Sequence, residues 1–247
     1  MDVNDSAVQR EPEVSFVIPA YNERDELPRT VKAIGEAAAE LGRRYEVIVV
    51  DDDSTDDTSE VARGLGARVV AVQCRQISAV RNAGARTARG SVLVFVDADT
   101  RINGEVLSAA WDALDTGAIG GGAEVHFEPS DKVGWSGTGS LFVWRVVSRW
   151  RCLAAGCFVF VQRDAFERVG GFDERYFAAE EIELSKALKR EGRFVILRQP
   201  VHTSPRKMEG KWAGRYGWIL IKTALTLGRN LQKRDGLDPW YEDQRGR

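Results

Sequence analysis

Asp97 and Asp99 stand two residues apart directly after the apolar run Val92-Leu93-Val94-Phe95-Val96. In extended backbone, residues i and i+2 share a side, so a strand ending here aims both carboxylates the same way. Carboxylates so placed repel unless a divalent cation lies between them or one keeps its proton. Hard oxygen ligands suit Mg²⁺ or Mn²⁺, which keep coordination positions open for the phosphate oxygens of a substrate. Two more polar clusters follow short apolar runs in the same manner, Pro19-Ala20-Tyr21-Asn22-Glu23 and Asp51-Asp52-Asp53-Ser54. Ligands of open parallel sheets bind beyond the carboxyl ends of the strands, so three such ends predict one shared crevice.

Other chemistries fit the same residues less well. Asp97-Ala98-Asp99-Thr100 matches the D-x-D-x-T of haloacid-dehalogenase-like phosphatases, whose first Asp is a nucleophile and second an acid or base. That chemistry needs the motif early and a paired-carboxylate strand end later. Here Asp51 and Asp52 precede the motif, which is the wrong order. A dinucleotide-binding fingerprint fails on context, because Gly64-Leu65-Gly66 follows a helical stretch instead of joining strand to helix.

The elements that must position these residues alternate along the chain. Strands are expected at residues 14–18, stopped by Pro19, and at 45–50, 68–72 and 91–96, with helices at 25–41, 58–65 and 78–88 between them. That alternation predicts an α/β fold with a mostly parallel central sheet flanked by helices. Further strands are expected at 118–127, 157–162 and 194–197, with helices between and after. With no internal repeat, one domain is expected over 14–235: a nucleotide-binding half at 14–100, an acceptor half at 101–200 and a basic tail at 201–235. A disordered leader at 1–13 and an extension at 236–247 flank it. No apolar run reaches the ~18 residues needed to span a bilayer. The stretches 141–150 and 216–227 are interrupted by Arg145, Arg149 and Lys222 and are expected as buried helices.

The 247 residues are 43% hydrophobic and 29% charged, with 35 Lys and Arg against 37 Asp and Glu, a balance that excludes disordered and collagen-like classes. Three cysteines without metal-ligand spacing offer neither a disulfide framework nor a zinc site, and the expectation is a reducing, cytoplasmic compartment. The charge is unevenly spread. Residues 51–60 hold six acidic side chains and no basic one, whereas 186–234 hold thirteen Lys and Arg against two Glu. An acidic centre followed by a basic tail points to a cation, an anionic ligand, or both, and nucleic acid is not expected.

Taken in order, Val17-Ile18-Pro19-Ala20-Tyr21-Asn22-Glu23, Val49-Val50-Asp51-Asp52-Asp53-Ser54, Ala79-Val80-Arg81-Asn82-Ala83-Gly84 and Phe95-Val96-Asp97-Ala98-Asp99 resemble family 2 glycosyltransferases of the GT-A fold. The resemblance continues through Gly170-Gly171-Phe172-Asp173 and Glu180-Glu181-Ile182-Glu183-Leu184, covering about residues 14–200. It implies an inverting, metal-dependent transfer of a sugar from a nucleotide-diphosphate donor, a UDP- or GDP-sugar, to an acceptor hydroxyl. By that resemblance Pro19, Tyr21, Glu23 and Asp52 hold the nucleotide, and Asp97 and Asp99 meet the ribose and the metal-bound diphosphate. Arg81 lies near the diphosphate, and Glu181, with Glu180 beside it, takes the acceptor proton.

The basic loop after the last strand adds Arg206 and Lys207 as a diphosphate lid and His202 as a further metal ligand. Two positions depart from the family pattern: Asp53 replaces the usual glycine, and Glu180-Glu181 replaces the usual Glu-Asp. Weak peripheral contact with the inner face of a membrane is expected through Arg215, Lys222 and Arg229. The alternative within this resemblance is a catalytically silent nucleotide-sugar-binding protein. The acceptor and the oligomeric state are left open.

Overall fold

The computed structural model describes residues 11–128 and 153–208. Residues 1–10 of the expected leader, the helices at 141–150 and 216–227, and Arg215, Lys222 and Arg229, expected at a membrane, lie outside the described residues. In chain order the elements are β1 (Val14–Ala20), α1 (Leu27–Leu41), β2 (Tyr45–Asp52), α2 (Thr58–Gly64), β3 (Arg68–Val72), α3 (Ile77–Thr87) and β4 (Val92–Val96). There follow β5 (Thr100–Arg101), α4 (Gly104–Asp115), β6 (Ala118–Phe127), β7 (Phe158–Gln162), α5 (Arg163–Arg168), α6 (Glu180–Glu191), β8 (Arg193–Thr203) and a 3₁₀ turn, Pro205–Met208.

The strands form one sheet in the order β3-β2-β1-β4-β7-β6-β8-β5. The half built from β1 to β4 is parallel, as each βα unit requires. β7 then runs antiparallel to both β4 and β6, and β8 returns parallel to β6. The sheet is thus mostly parallel, as expected, with β7 and the short β5 as its antiparallel strands. Its consequence for the site is simple: the carboxyl ends of β1, β2, β4, β6 and β8 all lie along one edge.

Central strands are apolar on both faces because both faces are covered. All seven residues of β1 are buried. One face packs against α1 and α4 through Leu27, Ile34, Val106 and Leu107, and the other against α3, α5 and α6 through Val80, Phe166, Leu184 and Leu188. Pro19 does not stop β1. The ladder to β4 has already ended at Val17, so the proline lies beyond the doubly paired stretch, where a missing N–H is tolerated. Helix α1 starts at Leu27, two residues later than expected, with Pro28 in its first turn. β8 runs on past Leu197 through a bulge opposite Ala123 and Glu124, which lets its polar second half keep pairing with β6.

Helix α3 sits close enough to the sheet that a side chain has no room at Gly84. A Cβ there would lie 2.4 Å from Val17 Cγ1 and 2.7 Å from Val50 Cγ2, on two buried strands. Gly84→Ala is expected to lower stability by about 1–3 kcal/mol through overpacking, read as a lower urea midpoint at unchanged m.

Candidate active site

The loops after β1 and β2 are stitched to each other. The Asn22 N–H donates to Ser54 Oγ at 3.0 Å, the Thr55 N–H donates to Asn22 Oδ1 at 2.8 Å, and the Glu23 N–H donates to Thr58 Oγ1 at 2.8 Å. Asp51 is buried and accepts the Ser54 N–H at 3.0 Å, closing the turn from within. Asp53 takes φ 65, the left-handed conformation usually given to glycine. Asp is among the few other residues that visit this region readily, so the turn forms without the glycine. Asp52 accepts the N–H groups of Cys74 at 2.7 Å and Arg75 at 3.1 Å, tying the end of β3 into the same crevice. Pro19 is buried and Tyr21 half-buried at its rim.

Asp97, Ala98 and Asp99 leave β4 along the same edge. Thr30 Oγ1 donates to Ala98 O at 2.7 Å, the Asp97 N–H donates to Cys157 O at 3.2 Å and the Ser204 N–H donates to Asp99 O at 3.1 Å. The backbone carrying the carboxylates is thus held from α1, the start of β7 and the end of β8. Asp99 is buried and meets Thr203 Oγ1 and Arg206 Nη2, each at 3.4 Å. Arg206 Nη2 also reaches both oxygens of the buried Glu23, at 2.7 and 2.8 Å. Burial works against its charge, but Glu23 and Asp99 outweigh it and raise its pKa.

Arg81 joins Asp97 to a second pair of carboxylates. Its side chain is 3% exposed; Nη2 donates to Asp97 Oδ1 at 2.8 Å and to Gly156 O at 2.7 Å, and Nη1 donates to Glu180 Oε1 at 2.5 Å. The guanidinium carbon lies 5.4 Å from the centre of the Phe172 ring, and Nε is buried with no hydrogen-bond partner among the described residues. Burial opposes the charge, and Asp97 and Glu180 overcome it, raising the pKa. Arg81 was expected near a diphosphate; in this structure it spans Asp97 and Glu180.

Glu180 and Glu181 open α6, directly after Ala179, whose φ of 62 lies in the left-handed region. Burial raises the Glu180 carboxyl despite Arg81. Burial and then Glu180 push Glu181 up to about 8. A Cβ at Gly156 would meet Arg81 Nη2 at 3.2 Å and the Glu181 carboxyl carbon at 3.5 Å, so this glycine lets the loop before β7 close over both.

Sequence reasoning singled out neither Gly156 nor Thr203, and quoted Asn82 without a role. Asn82 is buried and binds the loop at Phe172 in both directions, donating to Phe172 O at 2.8 Å and accepting the Phe172 N–H at 2.9 Å. Its place beside Arg81 in Arg81-Asn82-Ala83-Gly84 is the sequence signal for that work. Burial, and then the charges of Asp97 and Asp99, raise the pKa of the Cys157 thiol.

His202 lies apart from these carboxylates. It is exposed on β8 with its ring edge-on to His126, centroids 5.8 Å apart. Adjacent strand residues face opposite ways. Thr203 turns toward Asp99 and His202 therefore turns from it. Lys207 follows Arg206 in the 3₁₀ turn.

Among the described residues, no group of three or more His, Cys, Asp or Glu is arranged to hold a metal by itself. Asp97 and Asp99 nonetheless fit a Mg²⁺ or Mn²⁺ that completes its shell with phosphate oxygens, since both are hard oxygen donors at one strand end.

Residues 15–170 match the profile of glycosyl transferase family 2. The chain belongs to that family. Curated relatives include the undecaprenyl-phosphate 4-deoxy-4-formamido-L-arabinose transferase of Klebsiella pneumoniae, 38% identical over 112 residues, which are 42% of this chain and 34% of that protein. Another is the dolichol-phosphate mannosyltransferase of Pyrococcus furiosus, 36% identical over 110 residues, 42% of this chain and 31% of that one. The family 2 chain thus spans about a third of the length of these relatives. Among solved structures it is similar to the mannosyltransferase PcManGT from Pyrobaculum calidifontis in complex with GDP-Man and Mn²⁺, with a TM-score of 0.66, 20% identity and coverage of 96% of this chain and 69% of that one. It is also similar to Staphylococcus aureus TarS 1-349 in complex with UDP-GlcNAc, with a TM-score of 0.60, 18% identity and coverage of 88% and 67%. The fold is the GT-A glycosyltransferase fold expected from the ordered motifs. Among the described residues no helix is long and apolar enough to cross a membrane.

Proposed function

We propose that this chain is a metal-dependent, inverting glycosyltransferase that moves a sugar from a nucleoside-diphosphate donor to an acceptor oxygen. The observation that carries the reading is the convergence on one edge of a donor-side pair, Asp97 and Asp99, and a separate acceptor-side pair, Glu180 and Glu181, bridged by Arg81. In this reading Pro19, Tyr21, Glu23 and Asp52 serve the nucleotide, and Arg206 serves the diphosphate. The relatives' names add lipid-linked phosphates to hydroxyls as acceptor classes. The TarS and PcManGT complexes make UDP- and GDP-sugars the first donors to try.

In the transfer, the acceptor oxygen bonds to the anomeric carbon as the bond from that carbon to the diphosphate breaks. For a hydroxyl acceptor, Glu181 receives the proton the oxygen loses, from the face opposite the leaving group. The diphosphate departs with added negative charge, which Arg206 is placed to share. A cation held by Asp97 and Asp99 would supply Lewis-acid neutralisation of that charge. Asp52 acts earlier, by keeping the nucleotide crevice closed onto the end of β3.

A thermal-shift screen of UDP- and GDP-sugars with and without Mn²⁺ tests the reading. A donor at ~100 times its Kd should stabilise by ~2.7 kcal/mol. Asp99→Ala should keep its cooperative unfolding and lose the Mn²⁺-dependent shift, while Asp52→Ala should weaken donor binding and retain metal dependence. A full screen without any nucleotide-dependent shift in the wild type would sink the donor assignment.

A further inference from the structure

Glu23 and Asp99 are carboxylates from two different strand ends, with side chains only 8% and 3% exposed. Buried anions need a cation, and in this structure Arg206 supplies it. The two guanidinium groups at the Asp97-Asp99 pair are held differently. Arg81 is buried and uses both terminal nitrogens, on Asp97, Gly156 and Glu180. Arg206 is 40% exposed, comes from a short 3₁₀ turn, and makes its contacts to Glu23 and Asp99 through Nη2 alone. Of the two, Arg206 is the one that can leave without opening the core.

A guanidinium keeps its charge at any accessible pH. A bare divalent cation approaching Asp99 therefore meets a resident positive charge and competes for the same oxygens. A diphosphate arriving with the cation changes the balance, because its oxygens offer Arg206 a bidentate partner in exchange. We propose that Arg206 makes this site selective for a divalent cation accompanied by a diphosphate, acting as the counter-ion of Glu23 and Asp99 until a diphosphate replaces them as its partner. The inference rests on the reading of Asp97 and Asp99 as the cation site, and it adds the residue that decides in what company the cation enters.

The signature is a pair of shifts with opposite signs, which a merely structural role does not produce. Calorimetric titration with Mn²⁺ alone, and then with UDP or GDP at saturating Mn²⁺, should be run on the wild type, Arg206→Gln and Arg206→Lys. The Mn²⁺ binding counted is the part that Asp99→Asn removes. Arg206→Gln is expected to bind Mn²⁺ alone on the order of tenfold more tightly and the nucleotide on the order of tenfold more weakly, within the usual range of coupling between sites. Arg206→Lys should shift the same way by less, because an ammonium keeps the positive charge beside the carboxylates but offers a diphosphate no planar fork. The lysine variant carries the test if the glutamine variant unfolds.

Unchanged or weaker Mn²⁺ binding in both variants, or no Asp99-dependent Mn²⁺ binding in any of them, overturns the proposal. Tighter binding of both Mn²⁺ and nucleotide overturns the diphosphate half. If Mn²⁺ binding tightens and neither nucleotide binds any form, the donor reading of the preceding subsection fails while the counter-ion role of Arg206 stands.

Discussion

Replacing Glu181 with Gln should leave donor binding within about twofold of the wild type and lower kcat by ~10² to 10⁴, the usual range for loss of a general base. The pair is distinguished by Arg81. Glu180 is tied to the guanidinium at 2.5 Å, a role that fixes its position and occupies an oxygen, whereas the Glu181 carboxyl packs beside Gly156. Glu180→Gln should therefore act mainly through stability and less through kcat. The reverse ranking in kcat would exchange the two assignments.

A direction in pH follows from the raised carboxyl. A base works only when ionised, so activity toward a hydroxyl acceptor should fall on acidification at a higher pH than an ordinary glutamate would give. Stability runs the other way. Because the folded state holds this proton more tightly than the unfolded chain, the contribution of Glu181 to stability is present at low pH and declines as pH rises from about 4.5 toward about 8. Glu181→Gln should flatten that decline, measured as melting temperature against pH.

The second large effect is on folding. Arg81→Met leaves Asp97 and Glu180 without their shared cation. Removal of one partner from a buried ion pair typically destabilises by ~3–5 kcal/mol, more than the loss of an exposed bridge. Chemical denaturation should show a shift of that size. The double variant Arg81→Met with Glu180→Gln should recover part of it, since one of the stranded charges is then gone. A single variant within ~1 kcal/mol of the wild type would mean that water, not Arg81, compensates these carboxylates.

The legible part of this molecule was the part built from local rules. β1, β2 and β4 are short apolar runs ending in polar clusters, and each βα step is complete within a few tens of residues, so strand ends and candidate carboxylates could be read together. Asp53 was readable as a departure from glycine but not as a successful one, because φ depends on the turn that Asp51 and Ser54 build. Arg81 could be found but not its destination, since Glu180 lies 99 residues away and is delivered by α6. The facing of His202 could not be read, because the side a strand residue faces depends on register. The bulge opposite Ala123 and Glu124 sets that register, and Gln199, Pro200 and His202 gave no alternating apolar pattern to announce it.

The Arg81 bridge also bears on how new members of this enzyme class can be made. Donor and acceptor preferences invite recombination, with residues up to about 100 taken from one parent and the rest from another. Such a crossover cuts between an arginine and the glutamate it neutralises, so each chimera inherits half of a buried ion pair. Parents that both carry the Arg81 and Glu180 equivalents should give soluble hybrids at far higher frequency than mismatched parents. The practical unit of exchange is then a segment that carries α3 along with α6.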